Sequence, residues 1–317
     1  MCSQIPCMAV CSGVDNCYQA TCPSCAYFPV LLKVPIMRDM PELPGYELLA
    51  PLGGGALTCV YSARDISTDT PCAIKILRED WEDQPTAIKL LQREARAGLL
   101  VRHPHLVRLR YAHVLTPPYF LVMDLLEGES VRRRLRRDYR LDLASSVWIA
   151  RQTAEAMAAL HRAGFLHGDV KPDNVRLRDS GTAVLLDLGF AHSPGENHAL
   201  FRKGYVLGTS HYLAPELCLP EPVDSFGCDL FSLGVMLFEM LTGRLPYPPG
   251  TLDQTLRRHC CDPPADIRKH AASLPEDLLI LVERLLSRHS KDRPGAAAVV
   301  QQLIPLEITA LRLRRTA

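Results

Sequence analysis

The sequence predicts an α+β fold in two lobes, a small strand-rich lobe followed by a larger helical one. Three observations carry this. Between residues 46 and about 126, short apolar runs of strand type recur, interrupted by a single helical segment. Beyond Gly128 the apolar residues recur at helical spacing instead. A short polar stretch, "LLEGES" (125–130), joins the two patterns.

The strand-like runs are "YELLAPL" (46–52), "CVYSARD" (59–65), "CAIKIL" (72–77), "LVRLRYAHVL" (106–115) and "YFLVMDLL" (119–126). The helical interruption is "QPTAIKLLQREARAGLLVR" (84–102). In the second lobe "LASSVWIARQTAEAMAALHRAG" (143–164) is apolar at helical spacing, with Gly164 as its C-terminal stop. "CDLFSLGVMLFEMLTG" (228–243) and "PEDLLILVERLLS" (275–287) follow the same pattern. No internal repeat is visible. The expected organisation is a Cys-rich, disordered N-terminal tail (1–44), a first lobe (45–127), a second lobe (128–305) and a C-terminal tail (306–317). A cleft between two lobes is a natural place for a ligand.

Composition narrows the function classes. With 36 basic and 35 acidic side chains in 317 residues, the net charge of +1 gives no reason to expect nucleic acid. With 47% hydrophobic residues, the chain can build a large core. No apolar run reaches bilayer length; "LFSLGVMLFEML" is short, carries Glu239 and reads as a buried helix. The start "MCSQIPCMAV" lacks the basic leader of a signal peptide, so the expectation is a cytoplasmic protein.

Six of the twelve cysteines (Cys2, Cys7, Cys11, Cys17, Cys22 and Cys25) crowd into the first 25 residues. Cys22 and Cys25 form one CxxC pair, whereas zinc modules usually show two tightly spaced pairs. A tail of reduced thiols is therefore favoured over a zinc site. A true start at Met37 or Met40 is also open. The other six cysteines are scattered and read as ordinary buried thiols.

The chemistry-bearing residues come in a fixed order. In "LGGGALTCVY" (52–61) three glycines between strand-like runs let backbone N–H groups approach an anion. Lys75 sits among the apolar residues of "CAIKIL", and a buried ammonium needs an anionic partner. Glu94 of the helical interruption could be that partner. The polar turn "FLHGDVKPDNVRL" (165–177) holds His167, Asp169, Lys171, Asp173 and Asn174 between apolar flanks. "LLDLGF" with Asp187 and "APE" ending at Glu216 follow. Each part alone is weak. The glycines also fit a hairpin turn, Lys75 an edge lysine reaching water, and Glu94 a solvated helix face.

In this order and spacing the motifs resemble the eukaryotic-type (Hanks-type) serine/threonine protein kinase family, over residues 46–304. The resemblance implies a bilobal kinase-like fold that uses ATP and Mg²⁺ to phosphorylate serine or threonine hydroxyls of protein substrates. It implies nucleotide contacts at Leu52, Gly53, Gly54, Gly55, Val60, Ala73, Lys75, Met123, Asp124, Leu126 and Ser130. Gly53 and Gly55 match the first two glycines of the phosphate-covering loop. Met123 guards the adenine pocket, and the 124–126 backbone meets the base. Lys75 holds the α- and β-phosphates and pairs with Glu94. Asp169 is the catalytic base, Lys171 attends the transferred phosphate, and Asn174 and Asp187 bind magnesium. Glu216 of the peptide-positioning segment "GTSHYLAPE" pairs with Arg293, and Asp229 braces the catalytic turn. Lys171 leans the substrate toward serine or threonine.

These roles suit the chemistry. Phosphoryl transfer needs in-line geometry and positive charge more than covalent help. Mg²⁺ takes hard oxygen ligands of the kind Asp187 and Asn174 provide.

Some positions depart from the family pattern. Gly168 stands where many members have an arginine that meets a phosphate on the activation segment (187–216). Its absence suggests that phosphorylation there is not required, or else simple drift at a tolerant position. Thr58 takes the third glycine position and stiffens the loop. Leu188 replaces the usual phenylalanine, Gly98 a larger apolar residue, and Arg176 an apolar residue beneath adenine. Two other classes stand beside an active kinase: a pseudokinase scaffold acting through partners, and a small-molecule kinase, against which "GTSHYLAPE" argues. Arg202 and Lys203 read as a solvated loop beside the peptide site, and Arg312, Arg314 and Arg315 as a solvated helix end. The protein substrate, the upstream signal and the oligomeric state are not legible.

Overall fold

The computed structural model describes residues 40–202, 204–271 and 273–316, with residues 313–316 described by their backbone alone. The N-terminal cysteines with their zinc reading, Met37, Lys203 and the side chains of Arg314 and Arg315 lie outside the described residues. Those described fall into two compact units, one of residues 40–99 and 108–126, the other of 100–107 and 127–316.

The first unit is built on a five-stranded antiparallel sheet: β1 (Tyr46–Gly54), β2 (Thr58–Asp65), β3 (Thr70–Leu77), β4 (Leu109–His113) and β5 (Phe120–Met123), in the order β1-β2-β3-β5-β4. Side chains alternate across a strand, so β3 sends Cys72, Ile74 and Ile76 into one apolar cluster with Tyr61, Phe120 and Val122. Leu77, two residues from Lys75, joins a second cluster with Leu91, Ala95 and Leu121. Leu91 and Ala95 belong to α1 (Pro85–Leu100), which opens on proline, where the missing N–H costs nothing. Ala87, Leu91, Glu94 and Ala95 are its buried stripe at helical spacing.

The second unit is mainly helical. A short strand β6 (Glu129–Ser130) leads into α2 (Val131–Asp138) and the long α3 (Leu143–Arg162). Strands β7 (Val175–Leu177) and β8 (Ala183–Leu185) form a small antiparallel sheet with β6 in the order β6-β7-β8. Then come α4 (His198–Phe201), α5 (Phe226–Thr242), α6 (Leu252–Cys261), α7 (Glu276–Leu285) and α8 (Ala296–Thr316). Helix α5 is the core: every residue from Cys228 through Thr242 is buried. That explains its membrane-like apolarity, and no helix among the described residues is long and apolar enough to cross a membrane. Helix α8 runs unbroken through Pro305 and buries Val299, Leu303, Leu306 and Ala310. The sequence reading ended the second lobe at 305, yet Glu307 on this helix accepts a hydrogen bond from Arg151 Nε of α3 at 2.5 Å.

The reading of ordinary buried thiols holds for Cys72, Cys218 and Cys228, whereas Cys59 and Cys260 are half-buried and Cys261 is exposed. Helical spacing puts Cys261 about 100° round from Cys260, off the packed face of α6.

His259, also on α6, is buried against Tyr247 (ring centroids 4.4 Å apart) and Phe231 (5.7 Å). Its Nδ1–H donates to the Leu213 carbonyl at 2.7 Å. Burial dominates and brings its pKa down to about 4, against the opposing effect of that hydrogen bond. The unfolded chain takes up this proton near the ordinary value of about 6.5, so the folded state gains stability above that pH and loses it as pH falls toward 4. Urea denaturation at stepped pH is expected to show this fall, and His259→Phe to show a shallower slope between pH 6.5 and 4.

Candidate active site

In the sheet unit, the alternation that buries Leu77 turns Lys75 to the same side of β3, toward α1. There Lys75 Nζ donates to both oxygens of Glu94, at 2.9 and 2.8 Å. Both residues are buried, so the ion pair replaces the edge-lysine and solvated-face alternatives for this position. Removing either partner would leave an uncompensated buried charge. Among the glycines, the close approach falls on Gly54: a Cβ there would lie 2.8 Å from the Thr58 carbonyl, which also accepts from the Gly55 N–H at 2.8 Å. Thr58 opens β2. Leu52 is exposed, Val60 and Met123 are half-buried, and Ala73 is buried on β3. The Asp124 carboxylate is engaged by Arg110 Nε at 2.6 Å, and its N–H donates to the Arg108 carbonyl at 3.0 Å. Gly98 is buried in α1.

In the helical unit, the turn between α3 and β7 is a knot of hydrogen bonds. Asp169 is buried and accepts from four donors. Its Oδ1 takes the Thr209 N–H (3.0 Å) and hydroxyl (2.7 Å), and its Oδ2 takes Lys171 Nζ (2.7 Å) and Asn174 Nδ2 (3.1 Å). Lys171 also donates to the Thr209 hydroxyl at 2.6 Å. Asn174 gives its second N–H to the Asp169 carbonyl at 2.8 Å, which leaves its amide oxygen as an acceptor. The Asn174 carbonyl accepts the Leu186 N–H at 2.7 Å, tying it to the residue before Asp187. An amide oxygen and a carboxylate form a hard-oxygen pair suited to Mg²⁺, which keeps its other positions for water and phosphate. Leu188 is buried, as an apolar plug should be. Arg176 lies half-buried on β7, and Ser130 caps α2 by accepting the Arg133 N–H at 3.2 Å.

The turn is braced from below by Asp229 on α5. Its carboxylate accepts the N–H groups of His167 (2.8 Å) and Gly168 (2.9 Å) and the ring N–H of His161 (2.8 Å). Burial alone would raise this carboxyl's pKa, but the His161 hydrogen bond and the neighbouring His167 hold it below the ordinary value. Glu216 meets Arg293 in a bidentate pair at 2.6 and 2.8 Å. Arg293 gives its remaining donors to the carbonyls of Gly227, Ser287 and Arg288.

The sequence matches the protein kinase domain over residues 46–303. The chain belongs to the protein kinase family. Among similar proteins are the serine/threonine-protein kinase PkaA of Streptomyces coelicolor, 32% identical over 81% of this chain and 49% of its own length, and pkn2 of Myxococcus xanthus, 34% identical over 80% of this chain and 31% of its own. PknK of Mycobacterium bovis is 33% identical over 83% of this chain and 24% of its own length. The chain thus spans about half, or less, of these relatives.

Several residues of this kinase domain escaped the sequence reading. Thr209 stood in a quoted motif without a role, yet it joins Asp169 to Lys171. Arg132 of α2 binds Asp173 at 3.1 Å, Glu239 at 2.6 Å and the Tyr212 hydroxyl, and Tyr212 in turn donates to Glu239 at 2.5 Å. His192 sets its ring nitrogens 2.7 Å from the Phe190 carbonyl and 2.9 Å from Asp224, which also takes the Gly195 N–H (2.8 Å). These contacts tie the 187–216 segment to α2, to the catalytic turn and to the chain before α5. The available signal was Glu239, a second carboxylate beside Asp229 in an apolar helix, which required a partner.

Position 168 is not tolerant. Gly168 has φ of +81°, and a Cβ would sit 2.6 Å from the Phe190 carbonyl oxygen. This geometry speaks against a permissive site. Gly168→Ala is expected to lower stability by about 1–2 kcal/mol from the left-handed conformation alone, with the clash adding to it. Urea unfolding of native and variant chains measures this, and equal midpoints would refute the steric reading.

Proposed function

We propose that the chain is an active serine/threonine protein kinase, transferring the γ-phosphoryl group of ATP to protein hydroxyls. The observation that carries this is the hydrogen-bonded set of Asp169, Lys171, Asn174 and Thr209 around one buried carboxylate. Family membership and the names of the relatives support it.

In this reading Asp169 orients the substrate hydroxyl and accepts its proton. Lys171 sits beside it with positive charge for the phosphoryl group in transit. Lys75, held by Glu94, binds phosphate oxygens, and the backbone around Gly53–Gly55 covers them. Val60, Ala73, Met123, Asp124, Leu126 and Ser130 take the nucleoside. Asn174 and Asp187 would hold Mg²⁺, whose chemistry is charge neutralisation on the phosphates. An activity that draws on ATP, in a chain with free thiols among its described cysteines, fits the cytoplasm.

Incubation with Mg-ATP and a mixture of serine and threonine peptides is expected to give phosphate incorporation, and Asp169→Asn to reduce it roughly 10²–10⁴-fold. No incorporation by the native chain would favour a pseudokinase scaffold instead.

We infer further that this activity needs no phosphate on the 187–216 segment. Gly168 leaves no arginine for one, and the Arg132 and His192 contacts already anchor the segment. Enzyme stripped with a phosphatase and assayed in initial-rate conditions is expected to keep its rate. Strict loss of activity would refute the inference.

A further inference from the structure

Two thiols far apart in sequence meet behind the segment that ends at Glu216. Cys218 follows the turn Pro215–Leu217, and Cys260 lies near the end of α6. The Cys218 thiol donates to the Ala214 carbonyl at 3.4 Å, and the Cys260 thiol donates to the next carbonyl, Pro215, at 3.6 Å. The two thiols are close enough to shift each other's protonation. They share a small apolar cluster with Leu213 and Leu256, flanked by Val206, Leu217 and Leu252. The third cysteine nearby is committed elsewhere: the Cys228 thiol points to the Glu216 carboxylate at 3.4 Å and takes the Ser225 N–H.

We propose that Cys218 and Cys260 are a dithiol site that closes to a reversible disulfide when the chain meets a hydroperoxide. The two sulfurs divide the work. Cys260 is half-buried and so open to a small oxidant, whereas Cys218 is buried. The neighbouring Cys218 thiol and the nearby Arg288 guanidinium pull the Cys260 thiol down from its ordinary range, against partial burial. The same contact with Cys260, together with burial and the Glu216 carboxylate, pushes the Cys218 thiol well up. A low-pKa, accessible thiol next to a resolving partner is the arrangement that peroxide chemistry selects.

The steps balance. The Cys260 thiolate attacks one peroxide oxygen; an S–O bond forms, the O–O bond breaks, and the leaving hydroxide takes a proton to become water. The Cys218 sulfur then attacks the Cys260 sulfenic sulfur; an S–S bond forms, the S–O bond breaks, and a second water leaves with the Cys218 proton. Two thiols are oxidised and one hydroperoxide is reduced. A dithiol reductant reverses the link. The bridge would fasten α6 to the chain immediately beyond Glu216 and would withdraw both S–H donors from the Ala214 and Pro215 carbonyls. None of the family roles carried over above involves either cysteine.

The full chain, reduced and then exposed to hydrogen peroxide, is digested without reductant and mapped by mass spectrometry. The expected product is a Cys218–Cys260 cross-link that dithiothreitol removes and that persists in Cys261→Ser. In Cys218→Ser the serine hydroxyl keeps a donor for Ala214, and Cys260 is expected to be trapped by dimedone as a sulfenic acid. A free Cys218 in the native chain while Cys260 or the exposed Cys261 is oxidised would overturn the proposal, as would a link formed through Cys261. The native chain alone decides the matter, and covalent mapping is independent of kinase activity.

Discussion

Asp229 is the constraint on which the catalytic turn depends. A carboxylate buried in the first turn of the most apolar helix among the described residues is costly unless its oxygens are satisfied. Here the satisfaction comes from the backbone of His167 and Gly168 and from the ring of His161. The price of burying one charge is met by fixing two consecutive peptide groups. Once these are held, Asp169 has a defined direction, and Thr209, Lys171 and Asn174 can be built around it. The depressed pKa of Asp229 expresses the same fact: the charged form is the one the fold has arranged for.

The same logic explains why residue 168 is glycine. With both neighbouring N–H groups turned toward Asp229, the chain at 168 passes through a left-handed conformation and close to the Phe190 carbonyl. A side chain there would strain the backbone and crowd that carbonyl. The segment is held by other charges. Arg132 reaches the catalytic turn, α5 and Tyr212 at once, and Asp224 holds His192 and Gly195. Asp173 is exposed, but Glu239, Asp224 and Arg132 are largely shielded from water, where such contacts are stronger than on a surface.

Much of this was legible in the sequence, for reasons that can be named. The strand and helix patterns placed most elements within a few residues, because apolar alternation and helical spacing report burial directly. The order of glycines, Lys75, Glu94, Asp169, Asn174 and Asp187 pointed to the family. Read alone, Lys75 and Glu94 each favoured solvent; the order of the motifs pointed to their pairing, and the structure places the two in an ion pair. The terminal helix was read as a tail from 306 onward, whereas packing of Leu306 and Ala310 holds α8 to the second unit.

What the amino-acid sequence determined by itself was the architecture, the family and the list of chemistry-bearing groups. Those depend on local periodicity and on residue type, which a linear reading can follow. What only the tertiary structure decided was which polar groups meet: Thr209 with Asp169, Arg132 with Glu239, Cys218 with Cys260. These partners are separated by tens of residues, and a hydrogen bond or a thiol contact acts only over a few ångströms. Folding brings them within that range, and no spacing rule along the chain encodes it.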